Sequence, residues 1–90
     1  MSTALKLPAK LDLSSAIQLV SDLRAIEGEM QIDASEVTHM GSLCLQALIA
    51  AARQAKASGN TFEISNFTQR ALDQLSVMGI TPENLMEGVQ

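Results

Sequence analysis

The sequence predicts a single α/β domain spanning residues 1–90, built on a largely parallel sheet. Three observations carry that expectation. Short segments with a two-residue hydrophobic period alternate along the chain with longer segments of helical period, in the order strand, helix, strand, helix, strand, helix. Such alternation is how parallel strands joined by crossover helices read in a sequence. The length of 90 residues suits one domain with a modest core. The composition is 47% hydrophobic and only 2% aromatic, so the core must be aliphatic and the chain is not of the disordered class.

The elements follow in order. Ala4–Pro8 (ALKLP) alternates apolar and polar residues as a half-buried strand does, and Pro8 confines that strand to an edge or ends it. The segment LDLSSAIQLVSDLRAIEG reads as a helix from Ser14 or Ser15. Ser15 and Gln18 have the spacing of a capping box, and Ala16, Leu19, Val20, Leu23 and Ile26 form one apolar stripe. Gly28 is its terminator. EMQIDAS is a second strand with Met30 and Ile32 on one face. From Leu43 to Ser58 the helical period returns, with Leu45, Leu48, Ile49 and Ala52 on one side and Gln46, Arg53 and Gln54 on the other. Gly59-Asn60 stops this helix. TFEISNF is a third strand with Phe62 and Ile64 inward, and TQRALDQLSVMG a third helix with Ala71, Leu72, Leu75 and Met78 inward. TPENLMEG forms a last turn, with Thr81 as cap and Pro82 at the first helical position. Three strands are legible in this way, and Lys10–Leu13 (KLDL) is a candidate for part of another. No repeat or linker interrupts the chain.

Composition excludes several function classes. The net charge is −4 and no run of Lys or Arg is present, which argues against a nucleic-acid surface. Residues 1–10 lack the apolar core of a signal peptide, and no apolar stretch is long enough to insert in a bilayer. The single cysteine, Cys44, has no partner for an internal disulfide. Together these point to a cytoplasmic protein. One His and one Cys supply too few soft ligands for a metal, no glycine-rich phosphate loop is present, and no cofactor is expected.

The chemistry concentrates at VTHMGSLCLQAL, where an extended segment meets a helix at Ser42. Position alone makes Ser42 the expected cap of that helix, and a helix N-terminus also receives an anion well, including a phosphate on this serine. A nucleophilic role would need His39 as base and Asp33 as orienting acid. There is no G-x-S-x-G elbow and no basis for aligning the three, so hydrolysis is disfavoured and the protein is not expected to be an enzyme. Cys44 lies in the helix's first turn, where a thiol can be activated, but its neighbours Leu43 and Leu45 argue for simple packing.

These residues resemble a known family. QIDASEVTHMGSLCLQAL is similar to the central segment of STAS domains, the anti-sigma factor antagonist fold. Asp33, Ser35 and Val37 match the family's Asp-x-Ser-x-Val. Ser42 falls on its phosphorylatable Ser or Thr, and Leu45 on an apolar helix position. KASGNTFEISN and TQRALDQLSVMGI match the later strand and the L-x-x-x-G-[LI] ending. The chain departs from the pattern at Gly41, where an acidic residue is usual, and at Leu43 and Cys44, where small residues are usual. All three lie in the loop that a partner kinase would read. The variant segment looks similar to short STAS proteins that accompany bacterial chemotaxis kinases.

The resemblance implies a four- or five-stranded mixed sheet with helices mainly on one side, and no catalysis. It implies a signalling regulator that binds a protein partner, a kinase or an anti-sigma-factor-like ATPase, and that is switched by phosphorylation at Ser42. His39, Met40, Gly41, Ser42, Leu43 and Gln46 are the expected contact patch. The alternative is a constitutive STAS subunit of a larger cytoplasmic complex, such as a lipid-transport ATPase assembly. Neither partner identity nor oligomeric state is legible.

Overall fold

A computed structural model describes residues 4–26 and 28–88. Strand β1 (Ala4–Lys6) is followed by β2 (Lys10–Leu11), helix α1 (Leu13–Ala25), β3 (Met30–Asp33), β4 (His39–Met40), α2 (Ser42–Ala57), β5 (Phe62–Ser65), α3 (Gln69–Val77) and α4 (Pro82–Glu87). Strands β1, β3 and β5 form one parallel sheet in that spatial order, and β2 pairs with β4, also parallel, in a second.

The α/β family architecture is therefore present with five strands, but they are divided between two parallel sheets where a single mixed sheet was expected. The division has a physical cause. Residues 4–11 run alongside residues 31–41, and the ladder breaks once on each side. Pro8 has no N–H to donate. Opposite it, Ala34–Val37 close a turn in which the Val37 N–H donates to the Ala34 carbonyl at 3.1 Å. The Asp33 carboxylate fixes the entry to that turn by accepting the Ser35 N–H at 2.9 Å. Beyond the break the pairing resumes, with the Thr38 N–H on the Ala9 carbonyl at 2.7 Å and the Gly41 N–H on the Leu11 carbonyl at 2.8 Å. KLDL thus does supply a strand, and its partner β4 is the strand the sequence concealed.

Both crossovers of the three-stranded sheet advance in the same direction, which places α1 and α2 on one face. There α2 packs between α1 and α4. Met30, Ile32, Phe62 and Ile64 point from the strands into this layer and are buried, as are Leu45, Leu48, Ile49 and Ala52 of α2. The other face carries Gln31, Asp33, Glu63 and Ser65, which explains the strict in-out alternation of β3 and β5. Helix α3 sits against β4 at the end of the molecule. Consequently only Ala71 and Leu75 of α3 are buried, while Leu72 and Met78, expected inside, are half-buried.

The capping pattern of α1 also differs from expectation. The cap is Asp12, whose carboxylate accepts the Ser15 N–H at 3.2 Å, so the helix begins at Leu13 and the Ser15–Gln18 capping box does not form. The Ser15 hydroxyl instead donates to the Lys10 carbonyl at 3.0 Å. Thr68 and Thr81 cap α3 and α4 through their hydroxyls, with Pro82 opening the latter as its missing N–H allows.

Candidate functional site

The parallel pairing of β2 with β4 has a direct consequence: the helices that follow them, α1 and α2, start side by side. The Cys44 thiol donates to the Asp12 carbonyl at 3.3 Å across this junction. Ser42 stands there as the first residue of α2 and is exposed.

It is not the cap. Gly41 occupies the cap position with φ −75° and ψ 153°, no side chain caps the helix, and the Leu45 N–H reaches the Gly41 carbonyl at 3.0 Å. The helix starts one residue earlier than the hydrophobic pattern implied because β4 ends at Met40, leaving Gly41 alone between strand and helix. The Ser42 hydroxyl makes no hydrogen bond with any described residue. Gly41 is required by space and not by dihedral angle. A Cβ there would lie 2.6 Å from the Leu11 carbonyl oxygen, closer than such contacts occur. The acidic residue usual in the resembling family has no room at this position.

The structure separates the expected contact patch into two groups. His39, Ser42, Leu43 and Gln46 are exposed around the junction. Met40 is not: β4 alternates, and while His39 points out, Met40 points into the core at 2% exposure. Its side chain is removed from the contact patch by the two-residue period of a strand. Gly41 is only partly exposed, offering backbone alone.

Residues that the sequence pattern did not nominate are exposed at the start of the neighbouring helix. Leu13 and Ile17, one helical turn apart at the start of α1, are 75% and 83% exposed, and Leu43 is 52% exposed. Three of the four large hydrophobic residues exposed among the described residues therefore lie in the first two turns of α1 and α2. Residues 13–21 and 42–52 contain no charged side chain, although 18% of the chain is charged. The signal was present in the sequence, since Leu13 and Ile17 fall off the α1 stripe. Recognising it required knowing that the two helices begin together.

A nucleophilic triad is not assembled. The Asp33 carboxylate is occupied by the Ser35 N–H and by the Asn66 side-chain amide at 3.2 Å, and these bonds, that of the Ser35 N–H foremost, hold its pKa below the usual carboxylate value. Asp12 is lowered likewise, chiefly by the Ser14 hydroxyl at 2.7 Å. Cys44 is fully buried, and burial raises its thiol pKa, the opposite of an activated nucleophile. Among the described residues no three His, Cys, Asp or Glu side chains gather where a metal could sit, and no helix is long and apolar enough to cross a membrane.

Behind the junction, α3 grips the segment that leads to Ser42. The Gln74 side-chain amide donates to the Thr38 carbonyl at 3.1 Å and accepts the Met40 N–H, while the Thr68 hydroxyl donates to the Val37 carbonyl.

A family model described as "Mlab, STAS domain" matches residues 1–87. No curated protein sequence matches the chain.

Proposed function

The chain belongs to the STAS domain family, and we propose that it is a non-enzymatic cytoplasmic regulator that docks on a protein partner through the paired starts of α1 and α2, with Ser42 as the position where a phosphate breaks the complex. STAS domains commonly act through protein partners, and the partner class that fits is a kinase or anti-sigma-factor-like ATPase, including one of the chemotaxis type. One observation carries the reading. An exposed serine whose hydroxyl has no structural task lies inside the uncharged, partly apolar surface formed by Leu13, Ile17, Leu43, His39 and Gln46. Depletion of charge with apolar exposure is the character of an interface core. A phosphate adds nearly two negative charges, and burying them in such a contact carries a desolvation cost that the apolar side chains of Leu13, Ile17 and Leu43 do nothing to offset.

The test is co-purification of the tagged full chain, identification of the partner by mass spectrometry, and titration of variants against that partner. Ser42→Ala should bind and melt as the wild type does, since no cap bond is lost. Ser42→Asp should stay folded and bind at least tenfold more weakly. Equal affinity for Ser42→Asp and wild type would overturn the switch.

A second reading, the constitutive subunit of a larger assembly such as a lipid-transport ATPase, is favoured by Gly41 and by the apolar Leu13 and Ile17, because permanent interfaces are the more hydrophobic ones. It predicts a partner that co-purifies in fixed stoichiometry and never releases when ATP is added.

A further inference from the structure

We propose that Gln74 is the positioning residue of the Ser42 surface, its side-chain amide standing in for a neighbouring strand on the open edge of β4. The proposal rests on the reading of that surface as the docking site.

Strand β4 is two residues long and pairs with β2 on one side only. A parallel edge strand presents N–H and C=O groups outward in alternation, and each needs a partner. At this edge the outward groups that Gln74 meets are the Met40 N–H of β4 and the C=O of Thr38, the residue just before the strand. A single primary amide carries one acceptor and two donors on a rigid plane. Gln74 uses both functions, accepting from the Met40 N–H and donating to the Thr38 carbonyl at 3.1 Å. It therefore satisfies β4 as a peptide group of a third strand would. The Thr68 hydroxyl completes the arrangement at the Val37 carbonyl while also capping α3 by accepting the Ala71 N–H at 3.1 Å.

Few residue types can do this. Glutamate has no donor at neutral pH, and asparagine is one carbon shorter. The consequence reaches Ser42 because only Gly41 separates Met40 from it. Fixing the Met40 N–H fixes the peptide that enters α2, and with it the spacing between His39, Ser42 and Leu43. The core does not depend on it, since the buried turns of α2 are held by Leu45, Leu48 and Ile49 against the sheet and its neighbouring helices.

The experiment is residue-resolved amide exchange on the full chain, comparing wild type, Gln74→Met, which keeps the side chain's volume but neither hydrogen-bonding function, and Gln69→Ala as an exposed α3 control. Gln74→Met should raise exchange at Met40 and the adjoining amides to Leu43 by about tenfold or more, leave Leu48 and Ile49 unchanged, and lower affinity for the co-purified partner about tenfold. Gln69→Ala should alter neither. Wild-type exchange at Met40 in Gln74→Met would overturn the positioning role while leaving the docking reading intact. Loosened exchange with unchanged affinity would instead overturn the docking reading, because a displaced Ser42 surface would then not matter to the partner. Uniformly raised exchange throughout α2 would make Gln74 a general stabiliser and would also overturn the proposal.

Discussion

Replacing Gly41 by alanine tests the construction of the site most directly. The backbone at Gly41 lies at φ −75°, ψ 153°, a conformation open to any residue, so no dihedral strain is involved. The obstacle is the Leu11 carbonyl oxygen, 2.6 Å from where the new Cβ would sit, when contacts below 3.0 Å are essentially never seen. The same oxygen accepts the Gly41 N–H at 2.8 Å. Relieving the clash must push β2 and β4 apart at the bond that joins them. Overpacking costs about 1–3 kcal/mol and a weakened backbone hydrogen bond about 0.5–1.5 kcal/mol, so Gly41→Ala should lose about 2–4 kcal/mol. For a domain of this size that lowers Tm by on the order of 10–25 °C. Gly41→Asp suffers the same clash and regains about 1 kcal/mol as a helix cap, so it should fall between alanine and wild type. Urea and thermal melts of the three proteins decide the matter. A Gly41→Ala protein as stable as wild type would refute the reasoning and return the missing acidic residue to an accident of the sequence.

The remaining expectations are of three kinds. Leu48→Ala, at a fully buried position, should lose about 2–5 kcal/mol in denaturant melts. Cys44 titrates later in the folded protein than in the unfolded chain, so the unfolded state ionises first. Its contribution is full below the unfolded thiol pKa of about 8.5 and is lost as pH rises beyond it; Cys44→Ala should show a shallower alkaline loss of stability in melts taken across that range. Ile17→Glu, at an exposed position, should melt within about 0.5 kcal/mol of wild type yet bind the co-purified partner at least tenfold more weakly, and unchanged binding would remove α1 from the surface.

What was legible in the sequence follows from where the energy lies. β3, α2 and β5 could be read because each buries one regular face: Met30 and Ile32, then Leu45, Leu48, Ile49 and Ala52, then Phe62 and Ile64. β4 could not, because two residues give no period, and its identity comes from pairing with Lys10–Leu11 far away in sequence. The error at Met40 follows from that omission, since a loop residue is free to face solvent and a strand residue is not. The caps of α1 and α2 were misplaced for a related reason. Hydrophobic periodicity locates the helix face, but the first turn is set by the preceding strand, which delivers Asp12 and Gly41 to the cap positions. The serine at the centre of the site was visible; its lack of a structural task was not.

That lack bears on how a switch would work. Were Ser42 the cap, a phosphate would replace a bond that holds α2, and stability and affinity would change together. As the first residue of a 16-residue helix with no acidic side chain in its first turn, Ser42 stands where negative charge is welcome. A phosphate there does not oppose folding, and its unfavourable energy is confined to the complex, where Leu13, Ile17 and Leu43 provide no counter-charge. Since each 1.4 kcal/mol of interface energy is tenfold in affinity, a desolvation cost of a few kcal/mol would take a tight complex to a dissociated one while the domain remained folded and ready to bind again once the phosphate was removed. The Ser42→Asp titration and its melting curve, taken together, address this separation: a loss of affinity accompanied by an equal loss of stability would place Ser42 back in the fold and out of the switch.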